Sequence, residues 1–220
     1  MKKQIVLLVV VATFACCSVG KADITSAAWL PASCTNLTFL GQNFDATNSI
    51  LGVSAKQLSL NTARMSGTIT TDTIGDPNLF LGASVNNDTA NAWNGYRVNV
   101  VMNVLFNFVG APTVDNPPGD TPPTDNWFLA NLTAPTLQVG GLYDSKYEGS
   151  IFYSAGTPLG INDELDFNYE IHFASSTDYT VIQEMIPSLV PVPEPSMVAL
   201  LTFGGLGLAM RLRRNSRKAA

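Results

Sequence analysis

The sequence predicts an all-β fold for the middle of the chain, an antiparallel β-sandwich of the jelly-roll type. Apolar and polar residues alternate there with a period of two, which is typical of strands that bury one face. Gly, Pro, Asn and Asp interrupt these runs roughly every 8–12 residues, as the turns of a sandwich do. Outside the two ends of the chain, no stretch follows the helical period of 3.6 beyond two turns.

The first 22 residues predict a secretory signal peptide with a short signal helix. Lys2 and Lys3 precede an apolar run, and Gly20 and Ala22 are small residues at the −3 and −1 positions of a cleavage before Asp23. The apolar run is too short for a membrane-spanning helix. We therefore expect the protein to be exported, with Ala22 as the residue at the processing site.

Cysteine usage agrees with export. Cys16 and Cys17 fall within the signal peptide, so Cys34 would be left as a single thiol without a disulfide partner in its own chain. We expect Cys34 to be a small buried hydrophobe, and an intermolecular disulfide is the alternative. A lipoprotein signal that uses Cys16 or Cys17 is a further alternative, which the bulky Phe14 disfavours.

Two segments show the alternation most clearly, and we predict a strand for each. Residues 96–108 place their aromatic and aliphatic side chains on one face, and residues 165–173 repeat this pattern. Further strand candidates, rich in β-branched and aromatic residues, are residues 65–71, 78–85, 150–154 and 179–186. Together these strands predict one exported domain over residues 23–188.

Residues 111–126 interrupt the strands with five prolines and several acidic residues. We predict a surface loop of polyproline II character here, without a packed strand. A domain boundary at this loop is disfavoured, because neither half would keep enough strands for a stable sandwich.

The domain is strongly acidic. From Asp23 to Val192 the chain has sixteen acidic residues and four basic ones. This charge argues against binding to nucleic acid or to anionic membrane surfaces, since both require a basic patch.

The domain shows no convincing catalytic pattern. Its single histidine, His172, falls on the polar face of a predicted strand, and no Gly-x-Ser-x-Gly turn supports a Ser-His-Asp triad. We expect no enzyme activity and no cofactor. A small carbohydrate-active enzyme with two carboxylates remains an alternative.

Acidic and aromatic side chains suggest two kinds of binding site. Acidic residues that could bind calcium are Asp163, Glu164 and Asp166, with Asp115 and Asp120. Their spacing does not match an EF-hand, so we expect a structural role, with calcium binding as the alternative. Trp29, Trp93 and Trp127 could stack on sugars, although packing is the commoner role of tryptophan. Asn-x-Thr sequences begin at Asn36, Asn87 and Asn131, and they do not establish glycosylation.

Residues 189–220 form a separate C-terminal segment. An apolar stretch over about residues 196–212 contains fourteen consecutive uncharged residues, 197–210. As a helix those fourteen would extend about 21 Å, against a hydrocarbon core of about 30 Å. The stretch is therefore a marginal transmembrane helix, which Arg211 could extend by snorkelling. A buried core helix is the alternative.

A basic tail follows at residues 211–218, and Arg211, Arg213 and Arg214 lead it. Basic residues directly after an apolar run predict a cytoplasmic membrane stop, which a buried core helix would not explain. Before the run, Pro193, Glu194 and Pro195 favour an extended backbone that a processing enzyme can grip.

These three features together resemble the PEP-CTERM sorting signal of exported bacterial proteins. The resemblance implies an exosortase-like processing enzyme as a partner, a transient inner-membrane anchor, and delivery to the cell surface or to an extracellular polysaccharide matrix. Residues 76–100 also resemble a segment common in such proteins, through Asp76, Pro77, Asn87, Trp93 and Tyr96. The predicted function is a structural or adhesive surface protein, and a carbohydrate-binding module is the alternative.

Overall fold

The computed structural model describes residues 22–115 and 127–189, and these residues form eleven β-strands. In chain order the strands are β1 (Ile24–Thr35), β2 (Leu37–Asp45), β3 (Ile50–Gln57), β4 (Ala63–Thr71), β5 (Asn78–Asn87), β6 (Trp93–Met102), β7 (Phe106–Asp115), β8 (Phe128–Leu137), β9 (Tyr147–Leu159), β10 (Glu164–Phe173) and β11 (Asp178–Leu189). None of these described residues forms a helix that is long and apolar enough to cross a membrane.

The strands form two sheets, which confirms the predicted all-β sandwich. One sheet has six strands in the order β1-β4-β11-β6-β9-β8, and the other has five in the order β2-β3-β5-β10-β7. Three antiparallel pairs are nested in sequence: β6 with β9, β5 with β10, and β4 with β11. Successive pairs alternate between the two sheets. This alternation is compatible with the predicted jelly-roll type of sandwich, which stays a prediction.

One pair departs from the antiparallel prediction. Strands β3 and β5 run parallel, with Ile50 opposite Phe80 and Gln57 opposite Asn87. Strand β4 lies between them in sequence but belongs to the other sheet, so the chain crosses the sandwich and returns in the same direction. The parallel pair therefore follows from the crossover, which the period-two pattern does not reveal.

The core lies between the inner faces of the two sheets. Its largest fully buried side chains are aromatic, and they include Trp93, Tyr96, Tyr153, Phe167 and Tyr169. Strand β10 has the regular pattern of a strand with one buried face, because every second residue from Leu165 to Phe173 is buried. The prediction for residues 165–173 is thus confirmed.

Two tyrosine–glutamine pairs join the sheets through the core. The Tyr96 hydroxyl on β6 donates to Oε1 of Gln57 on β3, at 2.7 Å. The Tyr169 hydroxyl on β10 donates to Oε1 of Gln183 on β11, also at 2.7 Å. Each sheet therefore contributes one tyrosine and one glutamine, and each bond satisfies a buried polar group that would otherwise be costly.

The prediction of one strand over residues 96–108 is wrong. The chain leaves the six-stranded sheet after Met102 and enters the five-stranded sheet at Phe106, so the segment contains the end of β6 and the start of β7. The alternation continues across residues 103–105, because Met102 and Phe106 both point into the same core from opposite sheets.

The prediction that residues 111–126 contain no packed strand is wrong at its beginning. Residues 111–115 continue β7, and Pro112 is buried. The pairing of β7 with β10 shifts between Val109 and Thr113, and Gly110 has a positive φ of 67°. Proline is tolerated there because β7 is an edge strand and the shift is a bulge. Residues 116–126 lie outside the described residues.

The four shorter strand predictions are confirmed as parts of β4, β5, β9 and β11. The sequence analysis missed β1, β2, β3 and β8. Strand β8 shows why, because most of its residues are exposed and the rest do not alternate. Such an edge strand lacks the period-two signal on which the predictions depend.

Candidate functional site

A shallow trough crosses the outer, solvent-facing face of the five-stranded sheet. Its floor is formed where Gly52 of β3 lies directly opposite Gly82 of β5 in the parallel pair. Neither residue has a side chain, so the face is lowered at this point. The trough is open to solvent and has a volume of about 530 Å³. This volume is within the range of small-molecule sites, about 300–1,000 Å³.

Polar side chains surround this floor. Asn43 lies opposite Gly52, and Asn168 lies opposite Gly82, so the two amides flank the glycines. Ser54 and Ser84 form a parallel row beside them. Among the described residues, none donates or accepts a hydrogen bond with the side chains of these four residues. Their hydrogen-bonding groups therefore face solvent.

Phe80 lies beyond the trough on the same face of β5, where it lines a separate, smaller depression with Asn78 and Glu170. This phenylalanine is 37% exposed and lies between Ile50 and Glu170 on the neighbouring strands. Asn78 donates to Oε1 of Glu170 at 2.7 Å and contacts Nδ1 of His172 at 2.8 Å. The prediction that His172 lies on the polar face is confirmed, since it belongs to a surface network of amide and carboxylate groups.

A second polar cluster lies on the outer face of the six-stranded sheet, around Glu184. Arg64 forms an ion pair with Oε1 of Glu184 at 2.7 Å, and Tyr143 donates to the same oxygen. Asn99 donates to Oε2 at 3.2 Å. Because Tyr143 belongs to the β8–β9 loop, these contacts hold that loop against the sheet.

The cluster shifts the pKa values of two carboxylates in opposite directions. Burial alone would raise the pKa of Glu184, but hydrogen bonds from Tyr143, Arg64 and Asn99 outweigh it and lower the pKa below its ordinary value. Burial and the charge of Glu184 raise the pKa of Glu148. Paired carboxylates with separated pKa values resemble an acid–base pair. However, both oxygens of Glu184 already accept hydrogen bonds, and Glu184 is only 7% exposed.

The acidic residues near β10 do not converge on one point. Asp163 accepts a hydrogen bond from the backbone N–H of Gly160 at 2.9 Å and so closes its own turn. Asp166 lines the trough instead. In the part of the chain that the structure describes, no three His, Cys, Asp or Glu side chains are grouped closely enough to bind a metal. Asp120 is outside this part.

The three tryptophans are buried, so stacking on sugars by these rings is excluded. Trp29 and Trp93 are at most 1% exposed, and Trp127 is 7% exposed. Trp93 stacks on Tyr96 with ring centroids 5.2 Å apart, and its Nε1 donates to Thr89 at 3.1 Å. The Trp-x-x-Tyr step of the sequence is therefore a packing element.

Asn87, which the sequence analysis named as an Asn-x-Thr position and as part of the segment 76–100, is a structural hub. It is fully buried, and Nδ2 donates to the backbone oxygens of Asn91 and Gly160, both at 2.9 Å. Its Oδ1 accepts hydrogen bonds from the N–H and the hydroxyl of Thr89. The amide is thus unavailable for glycosylation in the folded domain.

The remaining predicted residues lie at or beyond the ends of the described domain. Ala22 is 2% exposed, and a Cβ at Gly75 would lie 2.6 Å from the Ala22 Cβ. Cleavage after Ala22, which stays a prediction, would therefore have to precede folding of this end of the domain. Cys34 packs partly against the core, and burial raises the pKa of its thiol.

The C-terminal processing and membrane-stop residues cannot be placed. Those outside the described residues are Pro193, Glu194, Pro195, Arg211, Arg213 and Arg214. The signal peptide before Ala22 and the transmembrane helix at about residues 196–212 are also outside them.

Comparison with known proteins gives one similarity, at the C-terminal end. Residues 191–214 match the family model of the PEP-CTERM protein-sorting motif. This confirms the resemblance of the C-terminal segment to that sorting signal. No curated protein and no solved structure matches the chain.

Proposed function

We propose that this chain is a structural or adhesive protein of the cell surface or extracellular matrix, sorted through its C-terminal PEP-CTERM motif. The motif indicates export and membrane-associated sorting by an exosortase. The match at residues 191–214 is the observation that carries the proposal. A signal peptide over residues 1–22 would begin export, and the membrane helix and basic tail would retain the chain until processing.

The outer surface of the domain supports a non-catalytic role. Both candidate sites lie on sheet faces, and one of them, around Glu184, is used internally to hold a loop. The described outer faces carry mostly small and polar side chains, and they have no planar row of exposed aromatic rings. A sandwich whose outer sheet faces are mostly polar is well suited to a hydrated matrix, and the proposal assigns it no catalytic step.

Processing is tested by changing Pro193, Glu194 and Pro195 together to alanine in producing cells. We expect the wild-type chain to lose both its signal peptide and its basic tail, and to leave the membrane fraction. The triple variant should keep the tail and remain membrane-bound. Intact mass and cell fractionation measure both outcomes, and Pro191→Ala is the matched control that preserves the tripeptide.

The opposite result would make the C-terminal segment a plain anchor. If the mature wild-type chain keeps its tail in the membrane, and the triple variant behaves identically, sorting through the motif is refuted. Carbohydrate binding is a second candidate function, because the side chains of Asn43, Ser54, Ser84 and Asn168 line the trough and make no hydrogen bond to another described residue.

A further inference from the structure

The trough on the five-stranded sheet has the shape of a site for an elongated ligand. It extends over strands β2, β3, β5 and β10, which are adjacent in the sheet. With neighbouring strands about 4.8 Å apart, four strands give a length of about 14 Å. A compact ligand would leave much of this length empty, whereas an extended chain that lies across the strands would fill it.

Glycine at position 82 determines the depth of the trough. A Cβ at Gly82 would lie 2.9 Å from Oδ1 of Asn168, so the Asn168 amide lies over the glycine. A side chain at this position would displace the amide and fill the floor. The neighbouring Gly52 is more open than Gly82, since a Cβ there would approach only a backbone oxygen of Asn43, at 3.9 Å.

The polar groups along the trough favour a ligand that is uncharged and rich in hydroxyl groups. Asn43 and Asn168 offer both donors and acceptors, and Ser54 and Ser84 offer hydroxyls. Lysine and arginine are absent from the described residues that line the trough, whereas Asp166 is present. With sixteen acidic and four basic residues over the domain, an anionic chain would be repelled.

A partly exposed aromatic ring lies beside the trough, in the adjoining depression on the same sheet face. Phe80 is two residues before Gly82 on the same face of β5, and its ring is partly exposed. Such a ring can cover the apolar face of a pyranose, while the amides and hydroxyls bind its polar edge. A peptide that adds a strand would instead pair with the backbone along a sheet edge, whereas the trough crosses the face of four strands.

We propose that the trough binds a neutral polysaccharide chain across strands β2, β3, β5 and β10. Asn43, Asn168, Ser54 and Ser84 hydrogen-bond to its hydroxyls, and Phe80 packs against one ring. This proposal deepens the function proposed above, because it rests on a surface or matrix location and names the class of partner there.

The test is affinity electrophoresis of the full-length protein, purified in mild detergent, through native gels that contain a polymer. The neutral probes are hydroxyethylcellulose, galactomannan and arabinoxylan, and the anionic probe is alginate. We expect at least one neutral polymer to retard the wild-type protein, and alginate not to. Gly82→Val and Asn168→Ala should each weaken the retardation about fivefold, the equivalent of one lost hydrogen bond of about 1 kcal/mol.

Thr180→Val is the matched control, because Thr180 is exposed on the outer face of the opposite sheet. It should bind as the wild type does. The half-buried Asn168 side chain lies on the outer face and makes no hydrogen bond to another described residue, so Asn168→Ala keeps the test decisive if Gly82→Val does not fold.

Three results would overturn the proposal: no retardation by any neutral polymer, retardation unchanged in Asn168→Ala, or stronger retardation by alginate. The assay uses purified protein and does not depend on C-terminal processing. Failure here is therefore distinguishable from failure of the sorting proposal.

Discussion

At the scale of single residues, Asn87 shows how one side chain can organise a corner of the sandwich. Its amide connects the end of β5, the turn at residues 88–92 and the start of the β9–β10 connection. Thr89, which Asn87 fixes, in turn accepts the hydrogen bond from the Trp93 indole. Loss of Asn87 would therefore leave several buried polar groups without partners.

We predict that Asn87→Ala lowers the free energy of unfolding by more than about 2 kcal/mol, since each orphaned buried group costs about 1–3 kcal/mol. Asn86→Ala is the matched control. Asn86 is the preceding residue on the opposite face, and its Nδ2 makes one hydrogen bond, to Asn162 at 2.9 Å. Urea denaturation measures both variants, and equal losses would contradict the role assigned to Asn87.

Glu184 gives the domain a predictable pH dependence. Its folded pKa is below the ordinary value, so its stabilising contribution is complete above the pKa of the unfolded chain, about 4.3. That contribution is lost as the pH falls through the folded pKa. We predict that Glu184→Gln lowers the unfolding free energy at pH 7 by about 1–3 kcal/mol, with a smaller difference at pH 3.

Glu148→Gln is the control of opposite sign. The raised pKa of Glu148 means that its charged form is disfavoured in the folded state, so removing that charge should not destabilise the domain at pH 7. Urea unfolding at the two pH values checks both variants. If Glu184→Gln lowered the unfolding free energy equally at both pH values, the substitution would be removing packing and not a charge interaction.

Residue-level roles were only partly predictable from the sequence. The surface position of His172 followed from alternation, because a histidine between Ile171 and Phe173 falls on the polar face. The floor of the trough at Gly52 and Gly82 did not follow from alternation. It depends on a parallel pairing that brings residues thirty positions apart side by side. The three partners of Glu184 likewise come from three separate segments of the chain.

At the scale of elements, the two tyrosine–glutamine pairs join the sheets but differ in their surroundings. Nε2 of Gln57 donates to the backbone oxygens of Ser59 and Asn61, at 3.1 and 3.4 Å. Nε2 of Gln183 has no hydrogen-bond partner among the described residues. The first glutamine therefore supports a loop, and the second supports only its tyrosine.

We predict that Tyr169→Phe costs about 1–3 kcal/mol of stability, because it leaves Gln183 fully unpartnered. The double variant Tyr169→Phe with Gln183→Met should recover most of this loss of stability, since the other side chains around Gln183 are apolar. The corresponding double variant, Tyr96→Phe with Gln57→Met, should not recover, because two backbone oxygens lose their donor. Thermal and urea unfolding compare the two double variants, and equal recovery would contradict the distinction.

Most central strands were predictable and most edge strands were not, although the central strand β3 was missed despite its alternating burial. Strands β10 and β11 lie inside their sheets and alternate clearly, so the sequence analysis found them. Strands β1, β2 and β8 lie at sheet edges and fully bury few of their residues, which weakens the signal. The break between β6 and β7 was missed for the opposite reason, because the alternation continues through the crossing.

At the scale of the whole molecule, the sorting signal and the domain were predictable by different means. The C-terminal signal is a short linear pattern, so sequence alone identified it, and the family match confirms it. The sandwich followed from alternation and turn spacing. Which strands pair could not be predicted, since pairing depends on contacts between residues far apart in sequence, such as Ile24 with Thr71.

The two ends of the described domain lie at opposite ends of its strands. Ile24 at the start of β1 pairs beside Thr71, and Asp178 at the start of β11 pairs with the adjacent Thr70. Leu189 at the end of β11 is a full strand length away, about 35 Å for twelve residues. Strands β1 and β11 therefore run in the same direction on either side of β4.

This geometry has a mechanical consequence. If the chain is held at its C-terminal end and pulled at its N-terminal end, the force is directed along the strands and loads the β1–β4–β11 ladder in shear. All the backbone hydrogen bonds of that ladder would then share the load, whereas a force across the strands would break them one after another. A protein tethered in a moving, swollen matrix would be held along its most resistant direction.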